Sequence, residues 1–142
     1  MLLRHKYKIT YKQNSDIMTI LTKIIEILTM TAVLQLARGI NEQASDVKLT
    51  RSRDGSISVA TFYFDSPNCW NPDSPEMGAI TGMFMIDEEG ELTTRNVSAK
   101  YTNGNLTRIE ATYKMSGEYE WQRFMRFMNR YAEANGMGFS KA

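Results

Sequence analysis

The sequence is poor in the residues that build metal centres, disulfide frameworks and nucleophilic active sites. It has one cysteine, Cys69, and one histidine, His5, among 142 residues. A disulfide framework needs at least two cysteines, and a multi-histidine metal site needs more than one histidine. A catalytic Cys69 would need a base beside it, and no histidine occurs after residue 5. A glycine-rich phosphate loop and a nucleophile elbow are also missing, so we expect no enzymatic activity, metal or cofactor.

The net charge is small, and proline is scarce. Seventeen basic residues against sixteen acidic ones leave a net charge of +1, too little for a protein that binds nucleic acid by bulk charge. The three prolines all lie between residues 65 and 79, which predicts a surface loop there. Apolar residues make up 42% of the chain and charged residues 23%, the usual mix of one soluble globular domain.

The first 29 residues differ in charge from the rest of the chain. They carry five basic residues and two acidic ones, whereas the remainder has a net charge of −2. Their apolar stretch, residues 17–28, is shorter than the ~20 residues that a membrane-spanning helix needs, and Lys23 and Glu26 interrupt it. We interpret residues 1–29 as a leader or mis-assigned start outside the fold, and residues 30–142 as the domain. An amphipathic surface helix is the alternative.

Apolar and polar residues alternate over much of the chain after residue 32, which is typical of β-strands. The strands predicted in this way cover residues 33–36, 47–53, 56–64, 80–86, 91–101 and 106–115. Asp-Gly at 54–55 and Asn-Gly at 103–104 predict hairpin turns. To align the apolar rows of the last hairpin, we expect a three-residue connection that pairs Tyr101 with Asn105.

A C-terminal helix is predicted between Ser116, its N-cap, and Gly136, its stop signal. Its apolar stripe contains Trp121, Phe124, Met125, Met128 and Ala132. Arg123, Arg126 and Arg130 lie opposite and are expected to face solvent. The predicted fold class is therefore α+β, with an antiparallel or mixed β-sheet of four to six strands packed against the C-terminal α-helix.

Two further features, a run of carboxylates and a tryptophan in a loop, can be explained without a catalytic or metal-binding role. The carboxylates at 87, 88, 89 and 91 lack the ligand spacing of a calcium loop, so we expect a solvated hairpin tip. Trp70 lies in the proline-containing loop, where it is expected either to fold back onto the core or to anchor a partner.

Four sequence blocks resemble the photosystem II reaction-centre protein 28 family of oxygenic phototrophs. They are L-T-R-S-R-D-G with A-T-F-Y-F within 49–64, I-T-G-M-F-M-I-D-E-E-G-E-L at 80–92, E-W-Q-R-F-M-R-F-M-N-R-Y-A-E-A-N-G at 120–136, and G-F-S-K at 138–141. The resemblance covers residues 31–142 and implies a non-enzymatic photosystem II assembly factor without a cofactor. The loop at 68–72 and Asn129 depart from the family pattern, so a divergent paralogue is the alternative to the principal member.

The resemblance also implies the partners and the location. The expected partners are photosystem II intermediates that contain the larger inner chlorophyll-binding antenna, together with reaction-centre loops, bound by β-strand augmentation. The protein is then a peripheral monomer on the cytoplasmic or stromal side of the thylakoid membrane, held there through protein contacts. The residues expected to support binding are Arg51, Arg53, Arg123, Arg126, Arg130, Phe139, Ser140 and Lys141. Truncation after Gly136 is expected to weaken binding and leave thermal stability nearly unchanged.

A different class of function remains open from the residues themselves. The helix arginines, with neighbouring basic residues on the strands, would suit a small RNA-binding α+β module. Binding assays across salt concentrations separate the two hypotheses, because phosphate contacts give a steep salt dependence and strand pairing does not.

Overall fold

Two antiparallel sheets and two helices make up the part of the fold that the structure describes. The computed structural model describes residues 2–11, 17–29, 32–70 and 79–141. The strands of this part are β1 (Leu2–Tyr11), β2 (Val33–Gln35), β3 (Asn41–Glu42), β4 (Asp46–Ser52), β5 (Ile57–Asp65), β6 (Met83–Asp87), β7 (Gly90–Thr94), β8 (Val97–Thr102), β9 (Asn105–Ser116) and β10 (Met137–Lys141). The helices are α1 (Ile17–Thr29) and α2 (Gly117–Ala134). The predicted α+β class is confirmed.

The strands form one large sheet and one small sheet. The order is β10-β1-β4-β5-β9-β8 in the first and β3-β2-β6-β7 in the second, and neighbouring strands are antiparallel in both. The chain leaves the small sheet for the large one at residues 95–96, so the single strand predicted over residues 91–101 is two strands, β7 and β8. Apolar and polar residues alternate in both strands, whichever sheet each strand belongs to. The sequence pattern therefore does not reveal where the chain passes from one sheet to the other.

Helix α2 contacts both sheets, through β5, β9 and β10 of the large sheet and β6 of the small sheet, and it also contacts α1. Its buried side chains include Phe127 and Tyr131, which the predicted apolar stripe left out. A helix that packs against two layers buries a wider arc than the single stripe of a surface helix. Phe124, Phe127 and Tyr131 therefore join Phe62 and Phe64 of β5 in one aromatic core.

The β8–β9 hairpin has a different register from the predicted one. Thr102 pairs with Asn105 across a two-residue turn, and Asn103 and Gly104 both have positive φ values, 52° and 79°. The three-residue connection is therefore wrong. Thr107 is an extra residue on β9 that shifts the pairing by one position. This β-bulge restores the alignment of the apolar rows, so the tight turn and a continuous core face are compatible.

The C-terminal segment is a strand and not a free tail. β10 pairs with β1, and the Met137 side chain is only 4% exposed within the core. Truncation after Gly136 would remove this strand and a buried methionine, so the premise of unchanged stability does not hold. β1 also pairs with β4, although the interpretation of residues 1–29 as a leader stays a prediction.

Candidate docking edge and its surroundings

β8 ends the large sheet and is an open edge within the described part of the chain. It pairs with β9 on one side, and no other described strand pairs with its outer side. Five of its six residues are exposed, and Val97 is half-buried. An edge strand presents unpaired N–H and C=O groups in a row, which is the template that an added strand uses.

Alternation along an antiparallel pair decides which backbone groups of β8 point outward. The Asn96 carbonyl accepts a hydrogen bond from the Thr112 amide at 2.9 Å, so residue 96 faces β9. Ser98, Lys100 and Thr102 therefore also face β9. The Val97 amide is already used, because it donates to the Arg95 carbonyl at 2.9 Å. This leaves the amides of Ala99 and Tyr101 pointing away from the sheet.

An aromatic pair flanks this edge. The Trp70 ring meets the Tyr101 ring edge to face, with 6.5 Å between the centroids. Trp70 is half-buried and Tyr101 is 59% exposed. Trp70 thus neither enters the main core nor stands free, which lies between the two predicted alternatives. Tyr101 belongs to β8 itself, so the ring pair lies at this edge strand.

The three helix arginines lie against the β6–β7 hairpin. Arg123 donates to both carboxylate oxygens of Asp87, at 2.6 and 2.9 Å, and Arg130 donates to the same carboxylate at 2.9 Å. Arg126 binds Glu89 at 2.8 Å, and Arg130 also contacts Glu88 and Glu89. We call the three arginines with Asp87, Glu88 and Glu89 the Arg–carboxylate cluster. The expectation of a solvated position is therefore wrong for Asp87, Arg123 and Arg130. The other members of the cluster are exposed as expected, although they form ion pairs.

Burial makes this cluster more than a surface ion pair. The Asp87 side chain is 0% exposed, and those of Arg123 and Arg130 are 12% and 17% exposed. Burial raises the pKa of Asp87, but hydrogen bonds from Arg123 and Arg130 outweigh this effect and hold it below its usual value. Hydrogen bonds from Arg126 and Arg130 lower the pKa of Glu89 to about 2. The cluster thus fastens α2 to the small sheet with ionised groups.

The remaining predicted contact residues lie in β4, in the β4–β5 turn and in β10. Arg51 pairs with Glu118 and lies 4.8 Å from the centroid of the Trp121 ring, at the start of α2. Arg53 is exposed in the turn between β4 and β5. The backbones of Phe139, Ser140 and Lys141 lie in β10, where they pair with residues 9, 8 and 7 of β1. The eight residues thus do not form one patch, and their role in binding stays a prediction.

Cys69 belongs to a buried clasp that the sequence did not reveal. The Glu42 carboxylate accepts hydrogen bonds from the amides of Asn68 and Cys69, at 2.8 and 2.6 Å. Burial, together with the Glu42 charge, raises the pKa of the Cys69 thiol to about 11. A buried thiol with a raised pKa is a poor nucleophile. The clasp holds the start of the proline-containing loop against the small sheet.

One signal could have revealed the Arg–carboxylate cluster. Arginines at positions 123, 126 and 130 recur with helical spacing, and the carboxylates at 87–89 form a run of opposite charge. Complementary charge groups on a helix face and a hairpin tip predict contact only if the two elements are neighbours. The chain separation of about 40 residues hides this from local patterns.

Neither metal-binding groups nor membrane-spanning helices are found among the described residues. In this part of the chain, His, Cys, Asp and Glu side chains do not gather in a group of three or more that could hold a metal ion. Neither of its helices is long and apolar enough to cross a membrane.

Comparison with known proteins gives one consistent family. The family model described as Psb28 protein matches residues 34–139. The chain is 54% identical over 114 residues to the photosystem II reaction center Psb28 protein of Acaryochloris marina, covering 80% of this chain and 100% of that protein. It is 53% identical over 112 residues to the photosystem II assembly factor Psb28 protein of Thermosynechococcus vestitus, covering 78% and 94%. The match to the Guillardia theta protein is 53% over 112 residues, covering 78% and 97%.

The family match spans both sheets except β1 and the ends of β2 and β10, together with α2 and the β8 edge. These matches confirm the family that the four sequence blocks indicated. The chain belongs to the Psb28 protein family.

Proposed function

We propose that the chain is a non-enzymatic assembly factor that docks transiently on photosystem II intermediates through the outer edge of β8. Family membership supports the role in photosystem II assembly. The guest strand would come from the larger inner antenna protein or a reaction-centre loop of an immature complex. Occupying that face would hold the loops in an immature state until later subunits arrive.

The observation that carries this proposal is the open edge of β8. The outward amides of Ala99 and Tyr101 offer two regularly spaced donors on an exposed strand. Strand addition gains affinity from such main-chain bonds and specificity from flanking side chains. Trp70 and Tyr101 provide that flank. Lys100, on the same strand, is the kind of charged residue that protects an edge from unspecific pairing.

The opposite end of the large sheet is a weaker candidate. β10 also pairs on only one side among the described strands, but its partner is β1. β1 ends at Tyr11, whereas the family match begins at residue 34. An edge that depends on β1 would not be shared across the family. The outer side of β4 is occupied by β1 in this chain.

The proposed location follows from the partner. The protein would sit peripherally at the thylakoid membrane as a monomer, on the cytoplasmic or stromal side where the loops of the immature complex are accessible. Arg53, in the exposed β4–β5 turn, and the residues of β10 stay candidates for secondary contacts. The helix arginines contribute first to the fold, and their carboxylate partners neutralise the basic stripe that RNA binding would need.

Ala99→Pro tests the docking edge. Proline removes the outward amide and places a ring where the guest strand would lie, while the bonds from Ser98 and Lys100 to β9 stay intact. We expect about tenfold lower recovery of antenna-containing intermediates in pull-downs from solubilised thylakoids, because main-chain bonds dominate strand addition. Ala99→Ser is the matched control, since it keeps the amide, and recovery should equal that of the original chain.

Thermal denaturation of both variants shows whether a lower recovery results from unfolding of the variant and not from a lost docking contact. The two melting temperatures should differ by only a few degrees, because proline is tolerated on the solvent side of an edge strand. Full recovery with Ala99→Pro would exclude β8 as the docking edge. If deletion of residues 1–16 instead raised recovery, the outer side of β4 would be the edge in use.

A further inference from the structure

Helix α1 exposes large apolar side chains to solvent. Ile17 and Met18 are 73% and 68% exposed, and Ile20, Leu21 and Ile24 are between 43% and 49% exposed. At 100° per residue, these five side chains fall within an arc of about 160° on the helix. Thr19 and Thr22 lie outside that arc. The helix therefore presents an uncovered apolar face, which in a soluble domain is typical of an interaction site.

The length of α1 restricts what this face can bind. Thirteen residues rise about 20 Å, whereas the hydrocarbon core of a bilayer is about 30 Å thick. Such a helix is too short to cross a membrane but is suited to lie in the interface with its apolar face down. The Thr22 hydroxyl donates to the Met18 carbonyl at 2.9 Å, so it adds no unsatisfied polar group.

Charge indicates which surface would attract it. The segment that includes β1 and α1 has five basic residues, Arg4, Lys6, Lys8, Lys12 and Lys23, against Asp16 and Glu26. The rest of the chain is slightly acidic, so the excess of positive charge belongs in sequence to the segment that contains the apolar helix. Basic residues next to an apolar helix face favour an anionic lipid surface. The same charge opposes pairing with a second copy of the segment.

We propose that α1 is an in-plane membrane anchor that binds an anionic lipid bilayer through Ile17, Met18, Ile20, Leu21 and Ile24. This contact goes beyond the proposed docking of β8, because it needs no protein partner. It would hold the domain at the membrane surface and raise its local concentration near membrane-embedded partners.

Vesicle flotation with the full chain tests the anchor. The probes are vesicles of phosphatidylglycerol mixed with phosphatidylcholine, and vesicles of phosphatidylcholine alone. We expect the chain to float with the anionic vesicles and about tenfold less with the neutral ones, because both charge and apolar contact contribute. Leu21→Gln with Ile24→Gln should reduce anionic binding about tenfold, since two apolar side chains leave the interface.

Thr19→Gln with Thr22→Gln is the matched control, since it places the same residues on the other face of α1. It should leave flotation unchanged, and circular dichroism should show equal helix content in both double variants. Failure of the original chain to bind anionic vesicles, or equal losses in the two double variants, would overturn the proposal. So would a dimer in vesicle-free solution that Leu21→Gln with Ile24→Gln converts to a monomer. Since no photosystem II protein is present, none of these results bears on the β8 edge.

Discussion

Asp87→Asn is expected to lower the free energy of unfolding by about 3 kcal/mol, because it removes the buried negative charge that Arg123 and Arg130 share. The Asp87 side chain is 0% exposed and accepts hydrogen bonds from both Arg123 and Arg130. Asparagine has nearly the same shape, so the loss reports charge and not volume. Urea denaturation followed by circular dichroism measures the effect.

Two further variants isolate the buried pair. Glu88→Gln is the matched control on the same hairpin, since the Glu88 side chain is 55% exposed where it pairs with Arg130. It should cost about 0.5 kcal/mol, as exposed ion pairs do. Adding Arg123→Met to Asp87→Asn should recover part of the lost free energy of unfolding, because it removes one of the two buried positive charges that the Asp87 carboxylate had balanced. Equal losses in Asp87→Asn and Glu88→Gln would contradict the structural role of the Arg–carboxylate cluster.

The same cluster makes stability depend on pH. The pKa values of Asp87 and Glu89 lie below those of the unfolded chain, which are about 3.9 and 4.3. Their contribution is therefore complete above pH ~5 and is lost as pH falls through the folded pKa values, which for Glu89 is about 2. The acid-induced loss of stability between these limits should be smaller in Asp87→Asn than in the original chain.

Phe124→Ala is expected to cost about 4 kcal/mol, because it opens a cavity between α2 and the large sheet. Phe124 is fully buried and meets the ring of Phe62 edge to face at 6.2 Å. It also stacks on Tyr113 at 5.8 Å. Removing the ring therefore withdraws contacts from both β5 and β9. Thermal and urea denaturation measure the loss.

Tyr119→Ala provides the comparison for this substitution. Tyr119 lies on the same helix but is 83% exposed, so its loss should change the free energy of unfolding by about 0.5 kcal/mol or less. If Phe124→Ala unfolds the chain completely, Phe124→Leu keeps most of the volume and should cost about 1.5 kcal/mol. A Phe124→Ala variant as stable as Tyr119→Ala would contradict the position of α2 between the sheets.

Local patterns predicted most of the secondary structure. β4 and β5 alternate cleanly around Asp54-Gly55, and α2 has a helical apolar stripe that ends before Gly136. These features succeed because the alternation of strands and the 3.6-residue repeat of helices are set by neighbouring residues. The α+β class follows from them directly.

Features that depend on distant parts of the chain were not predicted. Phe127 and Tyr131 are buried because tertiary packing covers a wider arc of α2, which contacts strands of both sheets. The sequence reveals that a two-residue turn would misalign the apolar side chains of β8 and β9. It does not reveal that an extra residue, Thr107, corrects the alignment through a β-bulge. Likewise, Glu42 looks like a surface residue of a short polar segment until the loop folds over it. Each outcome is decided by tertiary packing.

The candidate docking edge also combines a feature that the sequence predicts with one that depends on tertiary packing. Sequence reasoning predicted that a sheet edge would accept a guest strand, but an edge is a property of strand order. The pattern of apolar and polar residues at 97–102 does not indicate which strands lie beside this segment in the sheet. The arginines predicted to support binding are notable in the sequence only for their charge, and the structure places three of them in the Arg–carboxylate cluster.

Amide hydrogen exchange, resolved to single residues, tests strand addition at β8 most directly. In the free protein, the amides of Ser98 and Lys100 should exchange slowly because they bond to β9, whereas those of Ala99 and Tyr101 should exchange fast. In the isolated complex with an antenna-containing intermediate, we predict that exchange at Ala99 and Tyr101 slows by about tenfold or more, because each amide gains a main-chain acceptor. Unchanged fast exchange at both residues in the complex would contradict the account.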